Sequence, residues 1–356
     1  MVESGAVKNI MTFADEVIVD LEISTPALHI KKRAKSDIIK TIKEKVSQDA
    51  KVIVNIKIEV PIQPANPNLI KGKKIPGIKN IIAVASGKGG VGKSTITANL
   101  AVTLSKMGYK VGVLDADIYG PSIPMMFDVI NERPLSKTID GKSKMKPVEN
   151  YGVSILSIGF FTTPEQAVIW RGPMASKALN QLIFDAAWGH LDYMLIDLPP
   201  GTGDIHLSIM QSMPITGAVV VSTPQAVALA DARRGVSMFQ QDNIQVPVLG
   251  IIENMAYFIP EELPENKYYI FGKEGAKNLS NDLNIPFLGE IPLVQSIREA
   301  GDNGRPAALQ ENTTLSNAFE KLTKGVIKEL ENRNEVLPPT EAIQMTNSVG
   351  CSAAKN

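Results

Sequence analysis

The sequence predicts an α/β protein in which a small α/β domain precedes a larger one built on a doubly wound, mostly parallel sheet. Three observations carry this. From Asn80 onward short apolar runs recur between helix-length stretches: NIIAVAS, KVGVLDAD, VSILSIGF, YMLIDLPP, GAVVVSTP, PVLGIIENM and FLGEIP. Continuous apolar strands that alternate with helices are buried on both faces, as strands of a parallel sheet are. The glycine-rich stretch SGKGGVGKST lies between the first of these runs and the helical spacing of TITANLAVTLSKM. Ahead of them, DEVIVDLEIS and AKVIVNIKIEV alternate apolar and polar residues, which suits half-buried strands of a different, smaller sheet.

Taken in order, residues 1–60 read as the small unit, with IKKRAKSDIIKTIKEKV as an amphipathic helix between its two strands. Its basic residues suit a solvated helix face better than a nucleic-acid patch. Residues 61–79, rich in Pro, Asn, Gly and Lys, sustain neither period and read as a linker. The larger domain covers 80–333 and ends on an amphipathic helix marked by Phe319, Leu322, Val326, Ile327 and Leu330. Residues 334–356 turn polar and read as a flexible tail.

Composition narrows the function classes. Of 356 residues, 44% are hydrophobic, enough for a full core and unlike a disordered chain. The 37 basic residues balance 37 acidic ones, which argues against an electrostatically driven nucleic-acid binder. Cys351 is the single cysteine, so an intramolecular disulfide is excluded and nothing points to an oxidising compartment. No apolar run approaches the ~20 residues of a membrane span, and MVESGAVKNIMTF lacks the regions of a signal peptide. The expected setting is the cytoplasm, without membrane or nucleic-acid partners.

GKGGVGKS, residues 87–94, fits G-x-x-x-x-G-K-[ST] in the required strand–loop–helix context. Gly87, Gly89, Gly90 and Gly92, with Val91, let backbone N–H groups turn inward around phosphates. The following helix offers the positive end of its dipole. Lys93 is placed to neutralise the β- and γ-phosphates of ATP, and Ser94, followed by Thr95, to reach Mg²⁺. LDADIYGPS sets Asp115 and Asp117 at the end of the next strand, and LIDLPPGTGD sets Asp197 at another, with Gly201 in reach of the γ-phosphate. Beside a phosphate loop such aspartates suit an Mg²⁺ and water-positioning set, with Asp197 in the metal shell. Capping nearby helices is their alternative use.

The loop has one lysine more than it needs, Lys88. GKGGVGKST resembles the deviant phosphate loop of the MinD/ParA/nitrogenase-iron-protein class. That resemblance implies a homodimer in which Lys88 reaches the partner's nucleotide, Asp117 orients the attacking water, and slow hydrolysis times release. The longer strings DADIYGPSIPMM, WRGPM, DLPPGTGD, STPQAVALADARRG and IENMAYF are similar to the Mrp/ApbC group of iron–sulfur cluster carrier ATPases, from about Asn80 to about Arg333. In that setting Asn254 is implied to read the adenine edge, and the loop at Pro292 to close over the base. The implied partners are apo iron–sulfur clients and cluster assembly factors. SGAVKNI and STPALHIKKR resemble a SufT-related domain, which implies that its usual first helix is absent ahead of residue 1.

The chain departs from that group in one respect. Carriers of this kind hold a bridging cluster through Cys-x-x-Cys just after ENM-x-YF, whereas this chain reads ENMAYFIPEELPENKYYIFG. Ile259, Pro260 and Leu263 offer no soft anionic donor of the kind iron–sulfur clusters take. Leu28 likewise stands where relatives of the small domain carry cysteine. Cys351 is left as the candidate thiolate, one from each protomer. The alternative is a nucleotide-switched dimeric scaffold or partition-type ATPase that carries no cluster. His29, His190 and His206 are too scattered for a metal site and read as structural or surface residues.

Overall fold

The computed structural model describes residues 7–13, 16–23, 28–48, 50–58, 69–70, 75–139, 141–161, 172–241, 244–260, 262–263, 265–338 and 345–346. The chain divides into two compact units, Met1–Pro67 with Arg333–Pro338, and Asn68–Asn332 with Pro339–Asn356.

In the smaller unit β1 (Val7–Phe13) pairs antiparallel with β2 (Glu16–Ile23). Helix α1 (Leu28–Lys45) then crosses to β3 (Lys51–Ile58), which runs parallel to β2 from Glu16↔Lys51 to Ile23↔Ile58. The alternation of β2 turns Val19 and Leu21 onto Ala34 and Val54, with Ile38, Ile39 and Ile42 packed against them. The pattern reading assigns β2, α1 and β3 but not β1. That strand lies at the sheet edge and Lys8–Thr12 are exposed, so no apolar alternation marks it.

The larger unit opens with the two-residue β4 (Leu69–Ile70), inside the stretch read as a linker. The central strand β5 (Ile78–Ser86) begins two residues before Asn80. It is followed by α2 (Lys93–Lys106), β6 (Val111–Asp115) and the short α3 (Ile123–Met126). A hairpin of β7 (Leu135–Ile139) and β8 (Lys142–Lys146), then β9 (Val148–Asn150), lead into β10 (Val153–Ser157). The remainder alternates: α4 (Gly172–Phe184), β11 (Leu191–Pro200), α5 (Asp204–Ser212), β12 (Gly217–Ser222), α6 (Ala226–Phe239), β13 (Val248–Asn254), α7 (Gly275–Leu283), β14 (Phe287–Ile291) and α8 (Gln295–Asp302). Helix α9 (Thr314–Val336) continues past Arg333, and β15 (Met345–Thr346) pairs with β4, so the stretch read as a flexible tail holds two pieces of regular structure.

The eight-stranded sheet has the order β14-β13-β12-β5-β11-β6-β10-β9 and is parallel except at β9–β10. Its seven parallel strands are the seven apolar runs, so the fold is the doubly wound α/β sheet the sequence predicts. Helices cover both faces. Leu179, Ile209, Val236, Phe239 and Leu279 pack on one, and Ile96, Leu100, Phe127, Phe319 and Val326 on the other. After β5 the chain steps over to β6 and later returns to insert β11 between them. This reversal brings the C-terminal ends of β5, β6 and β11 together, which is where open α/β sheets hold ligands. Asp115 and Asp197 are directly paired there.

Candidate nucleotide site

The loop 87–92 leaves β5 and turns into α2. At Gly87 a Cβ would run into the backbone of Asp231 and Ala232 on α6, so only glycine lets the loop pass. Gly92 takes φ 81 as the residue before α2, a left-handed conformation that glycine adopts without strain. Val91 is buried and anchors the loop, while Lys88, Gly89 and Gly90 are exposed. Among the described residues Lys88 has no ion-pair partner. Ser94 and Thr95 sit in the first turn of α2, where unpaired N–H groups and the helix dipole favour an anion.

Lys93 is 6% exposed and folds back onto the strand-end carboxylates. Its Nζ lies 2.8 Å from Asp197 Oδ2 and 3.6 Å from Asp117 Oδ2, and it donates to Ser94 Oγ at 3.2 Å. Ser94 Oγ donates to Asp197 Oδ2 at 2.6 Å, and Thr97 Oγ1 to Asp197 Oδ1 at 2.7 Å. Asp197 is fully buried, so these partners are what keep its charge tolerable. The structure therefore brings Lys93, Ser94, Asp117 and Asp197 into one cluster.

Asp115 is also fully buried, but its oxygens are engaged within the fold. Oδ1 accepts from the Asp117 N–H at 3.2 Å. Oδ2 accepts from Ser157 Oγ at 2.8 Å and from the Ile123 N–H, the first residue of α3, at 3.3 Å. These bonds tie the end of β6 to β10 and to the start of α3. Burial first and repulsion from Asp197 second push its carboxyl up to about 8. Burial likewise raises Asp117, with Lys93 pulling against it.

Gly201 donates its N–H to the Ser86 carbonyl at 2.9 Å, which ties the turn after β11 to the foot of the phosphate loop. His206 is buried in the first turn of α5. Its Nε2 faces the Pro199 carbonyl at 2.9 Å, its own N–H donates to the Gly203 carbonyl, and burial lowers its pKa. Asn254, at the end of β13, donates its amide to the Val91 carbonyl at 2.9 Å. With Pro292, Gly92, Thr95, Met125 and Ile297 it lines a mostly apolar cavity of about 270 Å³ beside the phosphate loop.

Thr97 and Ser157 are polar partners that the motif reading misses. Thr97 follows Lys93 by one helical turn and so shares its face, a signal available in the spacing. Ser157 gives none. Glu253 is a third: it is buried, and its Oε2 accepts from the Ala276 N–H at 2.5 Å, holding the start of α7. Cys351, His29, and Trp170 and Arg171 of the WRGPM string lie outside the residues whose side chains are described. Among the described residues no group of three or more His, Cys, Asp or Glu could hold a metal by itself. No helix among them is long and apolar enough to cross a membrane.

Comparison with known proteins places the chain among relatives. An iron-sulfur cluster carrier protein of Aquifex aeolicus is 50% identical over 264 residues, 73% of this chain and 71% of that protein. One from Synechocystis is 42% identical over 316 residues, 89% of this chain and 88% of that protein. A nucleotide-binding protein of Archaeoglobus fulgidus, solved in complex with ADP, superimposes with a TM-score of 0.56 at 40% identity, covering 64% of this chain and 88% of that one. The sequence profile of the ParA family described as NUBPL iron-transfer P-loop NTPase matches residues 77–327, and the chain belongs to that family.

Proposed function

We propose that this chain is a slow, Mg²⁺-dependent ATPase, active as a homodimer, that carries iron–sulfur clusters to apo client proteins. The observation that carries the ATPase reading is the convergence of Lys93, Ser94, Asp117 and Asp197 at the start of α2, beside the cavity of Asn254 and Pro292. The relatives' names support the cargo.

On this reading the loop 87–92 and the first turn of α2, through Thr95, cradle the phosphates. Lys93 leaves its carboxylates to bind the β- and γ-oxygens. A hydroxyl and a carboxylate 2.6 Å apart, Ser94 Oγ and Asp197 Oδ2, are the hard oxygen donors that suit Mg²⁺, an ion bound by one or two such groups together with substrate phosphates. When bound, Mg²⁺ neutralises charge on the β- and γ-phosphates. Asp117, close to Lys93, orients the attacking water, and Gly201 turns toward the γ-phosphate. Asn254 and Pro292 hold the base. Phosphoryl transfer spreads negative charge over the γ-oxygens, and exposed Lys88 supplies the partner's site with a further cation when two protomers close. Turnover is slow because that cation arrives only in the dimer.

The cargo is held by thiolate, and Cys351 is the chain's single thiol. Two protomers offer two such ligands where a cluster takes about four, so small thiols or client cysteines complete the site. The test is anaerobic reconstitution of wild type and Cys351→Ser with iron and sulfide, counting iron per dimer alongside ATP turnover. A thiol-dependent, substoichiometric cluster in wild type and none in the variant is expected. ATP turnover with no iron in either protein would replace the carrier reading by the cluster-free nucleotide switch.

A further inference from the structure

The hairpin β7–β8 plays no part in the nucleotide site, yet its charge is strongly one-sided. Leu135 pairs with Lys146, Lys137 with Lys144 and Ile139 with Lys142, so these six side chains share one face. Lys137 stands directly opposite Lys144 and diagonal to Lys142 and Lys146. Like charges placed this way destabilise a sheet, and a two-stranded hairpin has little stability to spare. None of the four lysines forms an ion pair with a described residue, and Lys137, Lys142 and Lys146 are exposed.

Lysines often guard a free sheet edge against unwanted pairing. That purpose does not account for these. Only Lys137 lies on β7, whose outer edge has no strand partner among the described residues. The other three lie on β8, which is already pinned on its far side: the Met145 N–H donates to the Asp185 carbonyl and the Ala187 N–H to the Met145 carbonyl, both at 2.8 Å.

The opposite face of the hairpin carries Ser136, Ser143 and Met145, and these, with Leu135 and Lys144 from the lysine face, form one side of a groove of about 480 Å³. Ile158, Phe161 and Leu182 line its apolar part and Asp185 its rim. Leu135 is 71% exposed and Phe161 53% exposed at its mouth. A strand added along the free edge of β7 would send alternate side chains to the two faces, one set over the lysines and the other toward the groove.

We propose that this hairpin is a docking edge for an extended segment of a partner protein in which acidic and apolar residues alternate. Charge complementarity selects the acidic set, the groove selects the apolar set, and the unpaired backbone of β7 supplies the hydrogen bonds. A nucleic acid would match the lysines but leave the groove bare, and the chain as a whole has no basic excess.

The test uses the full chain and a fluorescein-labelled peptide of about ten residues alternating Glu and Leu, a length matched to one added strand. A peptide of the same composition with its Glu and Leu in two blocks, and a short DNA duplex, serve as probes of plain charge attraction. Fluorescence anisotropy should show the alternating peptide binding at least about tenfold more tightly than either, with affinity falling as salt rises. Lys137→Gln with Lys144→Gln should weaken it about tenfold, in step with the loss of two charge contacts. The same variant should melt no lower than wild type, because neutralisation removes repulsion, and ATP turnover should not change. Phe161→Ser should weaken binding while leaving its salt dependence intact. Equal binding of the block peptide or of DNA would overturn the proposal, as would unchanged affinity in the double glutamine variant. Concentration-dependent self-association abolished by that variant would assign the edge to a second copy instead and equally overturn it.

Discussion

Replacing Lys93 by methionine keeps most of the side chain's length but removes its charge from among buried carboxylates. The ammonium lies 2.8 Å from Asp197 and 3.6 Å from Asp117. At an effective dielectric of about 20 these attractions are roughly 6 and 5 kcal/mol. Desolvation of Lys93 and its partners returns much of that, and deleting one member of such a buried pair costs about 3–5 kcal/mol net. For a unit of this size the melting temperature should fall by on the order of 10 °C. The loss should also depend on pH. Burial raises Asp115 and Asp117 above their ordinary 3.8, and Lys93 opposes both shifts. Without Lys93 both rise further, so the native state holds protons that the unfolded chain has released. Stability then falls as pH rises from about 3.8 toward the folded values. Thermal unfolding of wild type, Lys93→Met and Lys93→Arg between about pH 5 and about pH 8.5 reads this directly, with the deficit growing as carboxylates ionise. Equal melting, or a deficit that is flat with pH, refutes the claim that Lys93 compensates these carboxylates.

Lys88→Ala should retain nucleotide affinity within about twofold, because the exposed side chain lies off the protomer's own Lys93 cluster, while hydrolysis falls by about a hundredfold or more; equilibrium binding beside steady-state turnover separates the two. Glu253→Gln should keep the bond from the Ala276 N–H yet gain stability relative to wild type as pH rises above 4.5, since burial raises the Glu253 pKa and ionising it in the fold is costly. Urea unfolding at about pH 5 and about pH 7.5 checks this, and a constant difference would show that Glu253 carries no such cost.

What the sequence reveals and what it hides follow from how each residue earns its place. The seven parallel strands are legible because burial on both faces demands continuous apolar runs such as Gly217–Ser222, all of it buried. The phosphate loop is legible because glycine spacing answers to backbone geometry that few residues satisfy, at Gly87 by close approach and at Gly92 by its positive φ. Edge elements are not. Strand β1 and the hairpin β7–β8 are held by backbone pairing with little burial, so KNIMTF and LSKTI show no apolar period. Long-range polar pairing is hidden for another reason. Nothing near Ser157 announces that its hydroxyl will meet Asp115, because the register of β10 on β6 brings them together across 42 residues. Asp115, read in the motif as a nucleotide-site residue, also accepts from Ser157 Oγ and the Ile123 N–H in the fold, contacts that its motif does not announce.

On the proposed reading, nucleotide loading is an exchange of partners. Lys93 is held by Asp197 and Asp117, the Gly201 N–H by the Ser86 carbonyl, and the Asn254 amide by the Val91 carbonyl. Turning any of these donors to a ligand breaks one hydrogen bond for each one made, and such exchanges gain about 1 kcal/mol or less apiece. Affinity must then come from terms that are not exchanged. One is the charge of the phosphates at the N-terminal end of α2. The other is the apolar cavity beside Asn254 and Pro292. Moving Lys93 onto phosphate also strips Asp197 and Asp117 of their nearest cation. A positive charge that arrives with the nucleotide would restore that compensation. ATP and Mg²⁺ should therefore bind as linked ligands, each raising the affinity of the other by the same factor. On this reading the linkage rests on the position of one lysine between two buried acids.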